Sequence, residues 1–307
     1  MVEVLHRTYK TYSGCLVRGV RPFAAPADVE LHLDRAVWLA AQLEGPKFGT
    51  VQSYDGCGIS AGLLHNIAVL PKSLEQGSLF ALLRRMIVST ANLPSVPLDA
   101  LVHALAEVGW AVAHDGKLRT SSGVLVSGAA IRNEFAPPNG KVPNKTGADW
   151  AKAARWAAIF HEAFADPLTE RGQIDYAIEW LAAGNRADEL AVYRRFIPQP
   201  TLDSAVALRS RRLPPEVDFA MCVYHAFSVN APAPAATALK SVATETDPRR
   251  FAKKLIRKLG TSTYGAWKDE PGDGGNRYDK TRLAAQRLGN LDLWPSGMMN
   301  ELMPRDL

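Results

Sequence analysis

The sequence predicts a mainly α protein of the α+β class. Three observations carry this. From Trp150 onward, apolar residues recur at helical spacing in six windows, 150–165, 171–183, 187–196, 201–209, 216–229 and 248–259. Strand-like patterning is short, confined to a stretch around Phe48–Tyr54 and to a β-hairpin excursion near 109–131. The later chain also lacks the alternation of strands and helices that a parallel sheet requires.

Taken in order, residues 1–28 read as an irregular or short-strand segment ending in the Pro-rich PFAAPAD. Asp28 can cap a helix that runs to about Glu44, because Leu33, Val37, Ala40 and position 44 follow i, i+4, i+7, i+11 on one face. A weak strand over Phe48–Tyr54 leads into a glycine-rich turn. Helices are then expected from near Ala61, over Ser78–Thr90 and over Leu98–Val108. In 109–131 an Asp-Gly and a Ser-Gly turn separate apolar runs, which is a hairpin pattern. EFAPPNGKVPNKTG (134–147) reads as a loop. After the helical windows, TYGAWKDEPGDGGNRYDKTR is a polar loop before a last helix near Lys280–Leu288. No repeat or low-complexity tract occurs. The expected organisation is one domain, 1–307, with two lobes: 1–98 carrying a pair of acids and 148–307 helical, with 109–147 inserted between them.

The 307 residues suffice for a sizeable core, and 47% hydrophobic with 22% charged residues excludes disorder. The net charge of +5 and pI of about 9.1 favour an anionic partner. Cys15, Cys57 and Cys222 form no CxxC pair, so neither a zinc cage nor a disulfide framework is expected, and a reducing compartment of synthesis fits. No apolar run approaches the length of a membrane span. The start, MVEVLHRTYKTYSG, lacks a signal-peptide core.

The acids Glu44 and Asp55 stand out. Glu44 continues an apolar stripe at a helix C-terminus, where desolvation and the helix dipole both favour a protonated carboxyl. Asp55 follows a short strand and precedes Gly56, Cys57 and Gly58, a polar turn in which it stays ionised. The flanking glycines leave space for a bulky chain to approach. Two carboxyls pushed to different pKa values are the acid/base division of glycoside hydrolases.

Other signals point elsewhere. Gly56-x-Gly58-x-x-Ala61 loosely matches a dinucleotide fingerprint, but residues 66–90 offer no second parallel strand. His161-Glu162 lacks the second histidine of a zinc protease and reads as a helix-surface pair. Asp269, Glu270, Asp273 and Asp279 do not fit a calcium loop. Arg249, Arg250, Lys253, Lys254, Arg257 and Lys258 make one helix basic and amphipathic, either a solvated face or a footprint for an anionic polymer. Tyr54, Tyr224, Trp267 and Tyr278 are candidate sugar-stacking aromatics, with core packing favoured for Tyr224. Asn230 falls at a helix end and could reach a ligand.

The segment DGCGISAG (55–62) resembles the DGxGxTAG stretch of chitosanases of the lysozyme-like superfamily. The wider pattern, Glu44-Gly45 followed by VQSYDGCGISAG, also resembles phage and bacterial peptidoglycan hydrolases. The similarity covers about residues 33–66. It implies a lysozyme-like helical fold with a small β-region after the first long helix. It also implies Glu44 as general acid, Asp55 as the group that activates water or stabilises the cation-like transition state, and Ser60 as an aid in placing that water. Gln52, Tyr54, Gly58, His65, Asn66 and Asn230 are then substrate-binding candidates. Two departures are visible: the Glu-to-Asp spacing is short for a chitosanase, and His65-Asn66 stands where many peptidoglycan enzymes carry Gln.

The expected function is cleavage of a β-linked amino-sugar polymer, with inversion, as the chitosanase resemblance implies. A basic protein is poorly matched to cationic chitosan, so carboxylate-bearing peptidoglycan is the favoured substrate and chitosan the alternative. A non-catalytic lysozyme-like binding module and a basic nucleic-acid-binding helical protein are the rivals. No cofactor, metal, nucleic acid or membrane span is expected, and any immunity or delivery partner is unspecified. The expected setting is synthesis in the cytoplasm and action on the cell wall, as a phage lysis protein or a secreted effector.

Overall fold

The computed structural model describes residues 2–9, 11–23, 32–44, 47–137, 141–142, 145–183, 186–197, 213–266, 276–289, 294 and 296–304. It is mainly helical with small antiparallel sheets, the expected α+β class. The chain forms two compact units. One comprises Met1–Phe23 and Gly45–Tyr176, the other Ala24–Glu44 and Ala177–Leu307. The chain therefore does not divide at 98, 109 and 148. The first long helix groups with the C-terminal helices, so Glu44 and Asp55 belong to different units and no single lobe carries both.

In the first unit, β1 (Leu5–Tyr9) and β2 (Tyr12–Val17) form a hairpin in which Leu5 faces Leu16 and Tyr9 faces Tyr12. Alternation along β2 buries Cys15 and Val17. β2 pairs with β5 (Val51–Gln52), β5 with β6 (Ser60–Ala61) and β6 with β7 (Asn66–Ile67), giving the order β1-β2-β5-β6-β7. The short pair β3 (Arg21–Pro22) and β4 (Lys47–Phe48) stands beside it in sequence, and Gly49 turns the chain from β4 to β5. The core lies under α2 (Leu79–Ser89), α3 (Val96–Glu107), α4 (Gly128–Phe135) and α5 (Gly147–Ala165). Leu79, Leu82, Leu83 and Met86 bury one face of α2. Phe135 meets Trp156 and Phe160 edge-on at 4.9 and 5.4 Å between ring centres. Ser95 and Ser127 cap α3 and α4 through Leu98 N and Ala130 N.

Three expectations in this unit change. No helix begins near Ala61; Ser60–Ala61 and Asn66–Ile67 are strands joined by a four-residue turn. Gly62, Leu64 and His65 are all left-handed there, with φ of 74°, 63° and 46°, which a helix cannot accommodate. The hairpin occupies only β8 (Trp110–Val112) and β9 (Leu118–Thr120), and the Ser127 cap starts α4 where strand was expected. The loop expected over 134–147 begins two residues later, because Glu134 and Phe135 close α4.

A short 3-10 turn, Pro167–Thr169, leads into α6 (Glu170–Ala183), and the boundary between the units falls inside this helix. The second unit is built on α1 (His32–Glu44) and α8 (Pro215–Ser228), each buried along nearly its whole length. Around them are α7 (Arg186–Phe196), α9 (Pro232–Ser241), α10 (Pro248–Gly260), α11 (Arg277–Gly289) and α12 (Ser296–Leu302). α9 and α12 were not anticipated; Pro232 and Pro234 occupy the first turn of α9, where a missing N–H costs nothing. The Asp28 cap, the 201–209 helix, and Trp267, Asp269, Glu270 and Asp273 lie outside the described residues. Among the described residues no helix is long and apolar enough to cross a membrane.

Candidate functional site

Asp55 is half-buried in the turn after β5. Its Oδ1 accepts the Cys57 N–H at 3.0 Å, closing an Asx turn. Its Oδ2 accepts Gln52 Nε2 and Ser60 Oγ, each at 3.0 Å. Antiparallel pairing of Gln52 with Ser60 brings both donors to one oxygen. Among the described residues no basic side chain pairs with it. The glycines serve packing rather than access. Gly56 (φ 82°) lies against the Tyr12 ring, where a Cβ would come within 2.7 Å of Cζ, and a Cβ on Gly58 (φ 76°) would sit 3.2 Å from Arg132 Cα. Burial, then the Asp55 charge, pushes the Cys57 thiol well up, so it stays a neutral S–H beside the carboxylate.

The structure thus gathers Gln52, Asp55, Gly58 and Ser60, with Gln52 and Ser60 orienting Asp55 directly. Asn66 is buried, and its Nδ2 donates to Leu63 O at 2.7 Å, which fastens the left-handed turn beneath half-buried His65. That contact engages one hydrogen of the Asn66 amide. Tyr54 is half-buried. His161 is buried, not on a helix surface: its Nδ1 lies 2.6 Å from Gly49 O, while Glu162 is exposed.

In the second unit, Glu44 ends α1 with 7% exposure. Its burial follows from the apolar stripe, but the surroundings are not apolar. Tyr264 donates its hydroxyl to Oε1 at 2.6 Å, and Arg277 Nη1 lies 3.0 Å from the same atom and 2.8 Å from Leu43 O. A guanidinium at this distance favours the ionised carboxyl, against the desolvation expected to keep it protonated. Asn230, after α8, is exposed. Sequence reasoning missed Tyr264 and Arg277, which lie within the stretch expected to be a polar loop, although a helix begins at Arg277; no local pattern marks them. Tyr224 bonds buried Glu189 and Tyr278 bonds Pro304 O, so both serve packing.

α1 also carries a buried polar network. Asp218 Oδ1 accepts His32 Nδ1 and Arg35 Nη2, each at 2.6 Å, and Oδ2 accepts Arg35 Nε at 2.9 Å and Trp294 Nε1 at 2.7 Å. Burial would raise this carboxyl, but His32 and then Arg35 outweigh it and hold it below the usual range. His32 Nε2 reaches Tyr193 at 2.7 Å, and Tyr193 reaches His225 Nε2 at 3.2 Å. Burial, with the neighbouring His32 second, pushes His225 down to about 3. His32, Asp218 and Cys222 place three potential ligand atoms within 4.8 Å of one another. They do not fit a metal: the 2.6 Å His–Asp contact is closed, and the guanidinium occupies the same oxygen.

Four of the six cations on the basic face of α10 are paired, and they share three acids. Arg249 and Lys253 pair with Glu301, Lys254 with Glu245, and Arg250 with Glu245 and Asp247. Its underside, Phe251, Leu255, Ile256 and Leu259, is buried. Comparison of the chain with protein-family models, with curated proteins and with solved structures gives no match.

Proposed function

We propose that the chain is a glycoside hydrolase that cleaves a β-linked amino-sugar polymer, with bacterial peptidoglycan as substrate. The observation that carries the proposal is the Asp55 carboxylate, oriented by Gln52, Ser60 and the Cys57 N–H, with no cation paired to it among the described residues. Asp55 keeps its negative charge available for a water proton or an oxocarbenium-like sugar. In this reading Asp55 takes the proton of the water that adds to C1 as the bond to the leaving glycosidic oxygen breaks, and that oxygen is protonated by a carboxylic acid, the role that the resemblance implies for Glu44. The net charge of +5 favours peptidoglycan carboxylates over cationic chitosan. Release at the cell wall as a lysis protein or a delivered effector belongs to the same proposal.

The test is digestion of purified sacculi, followed by mass spectrometry of the released muropeptides. Glu44→Gln and Asp55→Asn should each lower release by roughly a thousandfold or more while the fold is kept. Full activity of Glu44→Gln would exclude the mechanism. Intact sacculi with cleaved chitosan oligomers would move the substrate to chitosan. A second reading has its own support in Arg277, since a buried carboxylate–guanidinium pair can be purely a packing device. It makes the chain a glycan-binding module, and predicts tight binding with no bond cleaved.

A further inference from the structure

We infer that the turn carrying Asp55 is part of a binding site for a carboxylate-bearing sugar, in which the Tyr12 ring takes the face of the sugar and the Arg132 guanidinium its carboxylate. The inference rests on the hydrolase reading for the class of glycan, and adds to it two residues far from Asp55 in the chain.

All the groups concerned belong to the first unit. The turn is pinned from below. Cys57 O accepts the Val69 N–H at 3.1 Å, and Ile59 O accepts the Ala68 N–H at 2.8 Å. Tyr12 and α4 close on the turn at neighbouring points. A Cβ on Gly56 would lie 2.7 to 2.9 Å from Cζ, Cε1 and Cε2 of Tyr12, so the hydroxyl end of that ring rests on the backbone next to Asp55. A Cβ on Gly58 would lie 3.2 Å from Arg132 Cα, so α4 is seated on the same backbone two residues further on. Tyr12, Asp55 and Arg132 are each half-buried. The hairpin fixes Tyr12 opposite Tyr9 at its closed end. Among the described residues the Tyr12 hydroxyl has no hydrogen-bond partner, and no acid pairs with Arg132. Arg132 Nε is buried without an acceptor. A buried donor left in that state is costly, and a ligand oxygen would satisfy it. Arg132 and Asp55 thus stand at one turn with opposite charges and form no ion pair, which leaves each for a third group.

The chemistry of the three side chains selects that group. A guanidinium presents paired N–H donors that match both oxygens of a carboxylate. A tyrosine ring offers an apolar face to the C–H face of a pyranose and a hydroxyl to its oxygens. Ionised Asp55 only accepts, and takes a sugar hydroxyl or the attacking water. A cationic glucosamine polymer would meet the guanidinium with like charge, whereas a glycan with carboxylates meets it with opposite charge. Preference for peptidoglycan over chitosan then rests on a named side chain rather than on net charge alone.

The experiment is isothermal titration calorimetry of the full-length protein with disaccharide-peptide monomers from peptidoglycan, before and after their carboxylates are amidated with methylamine. These monomers are the product class of the proposed reaction, so the protein does not consume them. Amidation should weaken binding to wild type by about tenfold. Arg132→Met should lose about as much, and amidation should then cost it nothing more. Tyr12→Ala should weaken both monomers alike, by roughly fivefold. The inference is overturned if wild type binds neither monomer or binds both equally, if the amidation effect persists in Arg132→Met, or if Tyr12→Ala binds like wild type. Should Arg132→Met or Tyr12→Ala not fold, Arg132→Gln or Tyr12→Leu takes its place under the same criteria. Sacculi left intact by a protein that binds the monomers in this pattern remove the hydrolase reading and keep the site. Sacculi cleaved by a protein without the pattern remove the site and keep the reading.

Discussion

Asp55 and Glu44 are eleven residues apart in sequence but are held in opposite ways. The first unit surrounds Asp55 with neutral donors, one amide, one hydroxyl and one backbone N–H. The second unit gives Glu44 a guanidinium and a phenol, and gives Asp218 a guanidinium, an imidazole and an indole. The difference follows from burial. A half-exposed carboxylate shares its charge with water and needs only orientation. One buried on α1 or α8 has lost that water and needs a counter-charge. Charge neutralisation in the second unit is thus part of folding, whereas in the first unit the acid contributes little to stability.

The largest effect that could break this contrast is at Arg277. Arg277→Met leaves Glu44 buried without its cation and should cost about 3 kcal/mol at pH 7, measured by urea unfolding. Without that guanidinium the carboxyl folds more readily in its protonated form. The deficit relative to wild type should therefore shrink as pH falls toward the unfolded carboxyl value of about 4.3. A deficit of the same size at pH 7 and pH 4.5 would show that the lost attraction is not what the substitution removed.

A smaller effect should separate the two units by pH. His225 is neutral in the fold and titrates only at about 3, whereas unfolded it takes a proton near 6.5. Its folded value is depressed, so the stability it contributes is complete above about 6.5 and is lost as pH falls toward 3. Between pH 7 and 5 the loss should be about 2 kcal/mol. Asp218, also depressed, adds a loss only below its unfolded value of about 3.9. Amide exchange in α8 should accelerate at pH 5 before that of the β2–β5 pairing, and His225→Leu should flatten the trend. Loosening of the β2–β5 pairing first would contradict the contrast.

The helices were legible where one apolar stripe repeats. α2, α5, α8 and α10 begin and end within a few residues of their expected limits, because burial of one face sets both pattern and structure. The turn at 62–65 was not legible, because left-handed Leu64 and His65 have no signature in residue type. Asp55 and its donors Gln52 and Ser60 could be read as a group because antiparallel pairing is local. The partners of Glu44 could not. Tyr264 and Arg277 lie more than two hundred residues away, and only the packing of α1 with the C-terminal helices brings them to the carboxyl. The grouping of α1 with those helices, which separates the two acids between units, was hidden for the same reason.

The finest test of the contrast lies within the Asp55 site. Ser60 and Gln52 donate to the same oxygen at the same distance, yet Ser60 is fully buried and Gln52 only half so. Water can take the place of the Gln52 amide, but it cannot reach the position of the Ser60 hydroxyl. Ser60→Ala should therefore lower kcat on muropeptides about tenfold, roughly 1.4 kcal/mol, with KM unchanged, and Gln52→Ala by about threefold. Neither should change stability by more than about 1 kcal/mol, since an unmatched Asp55 can still be hydrated. If both variants keep full kcat, the orientation of Asp55 serves no reaction, and the carboxylate is a turn former whose three donors only fasten the loop between β5 and β6.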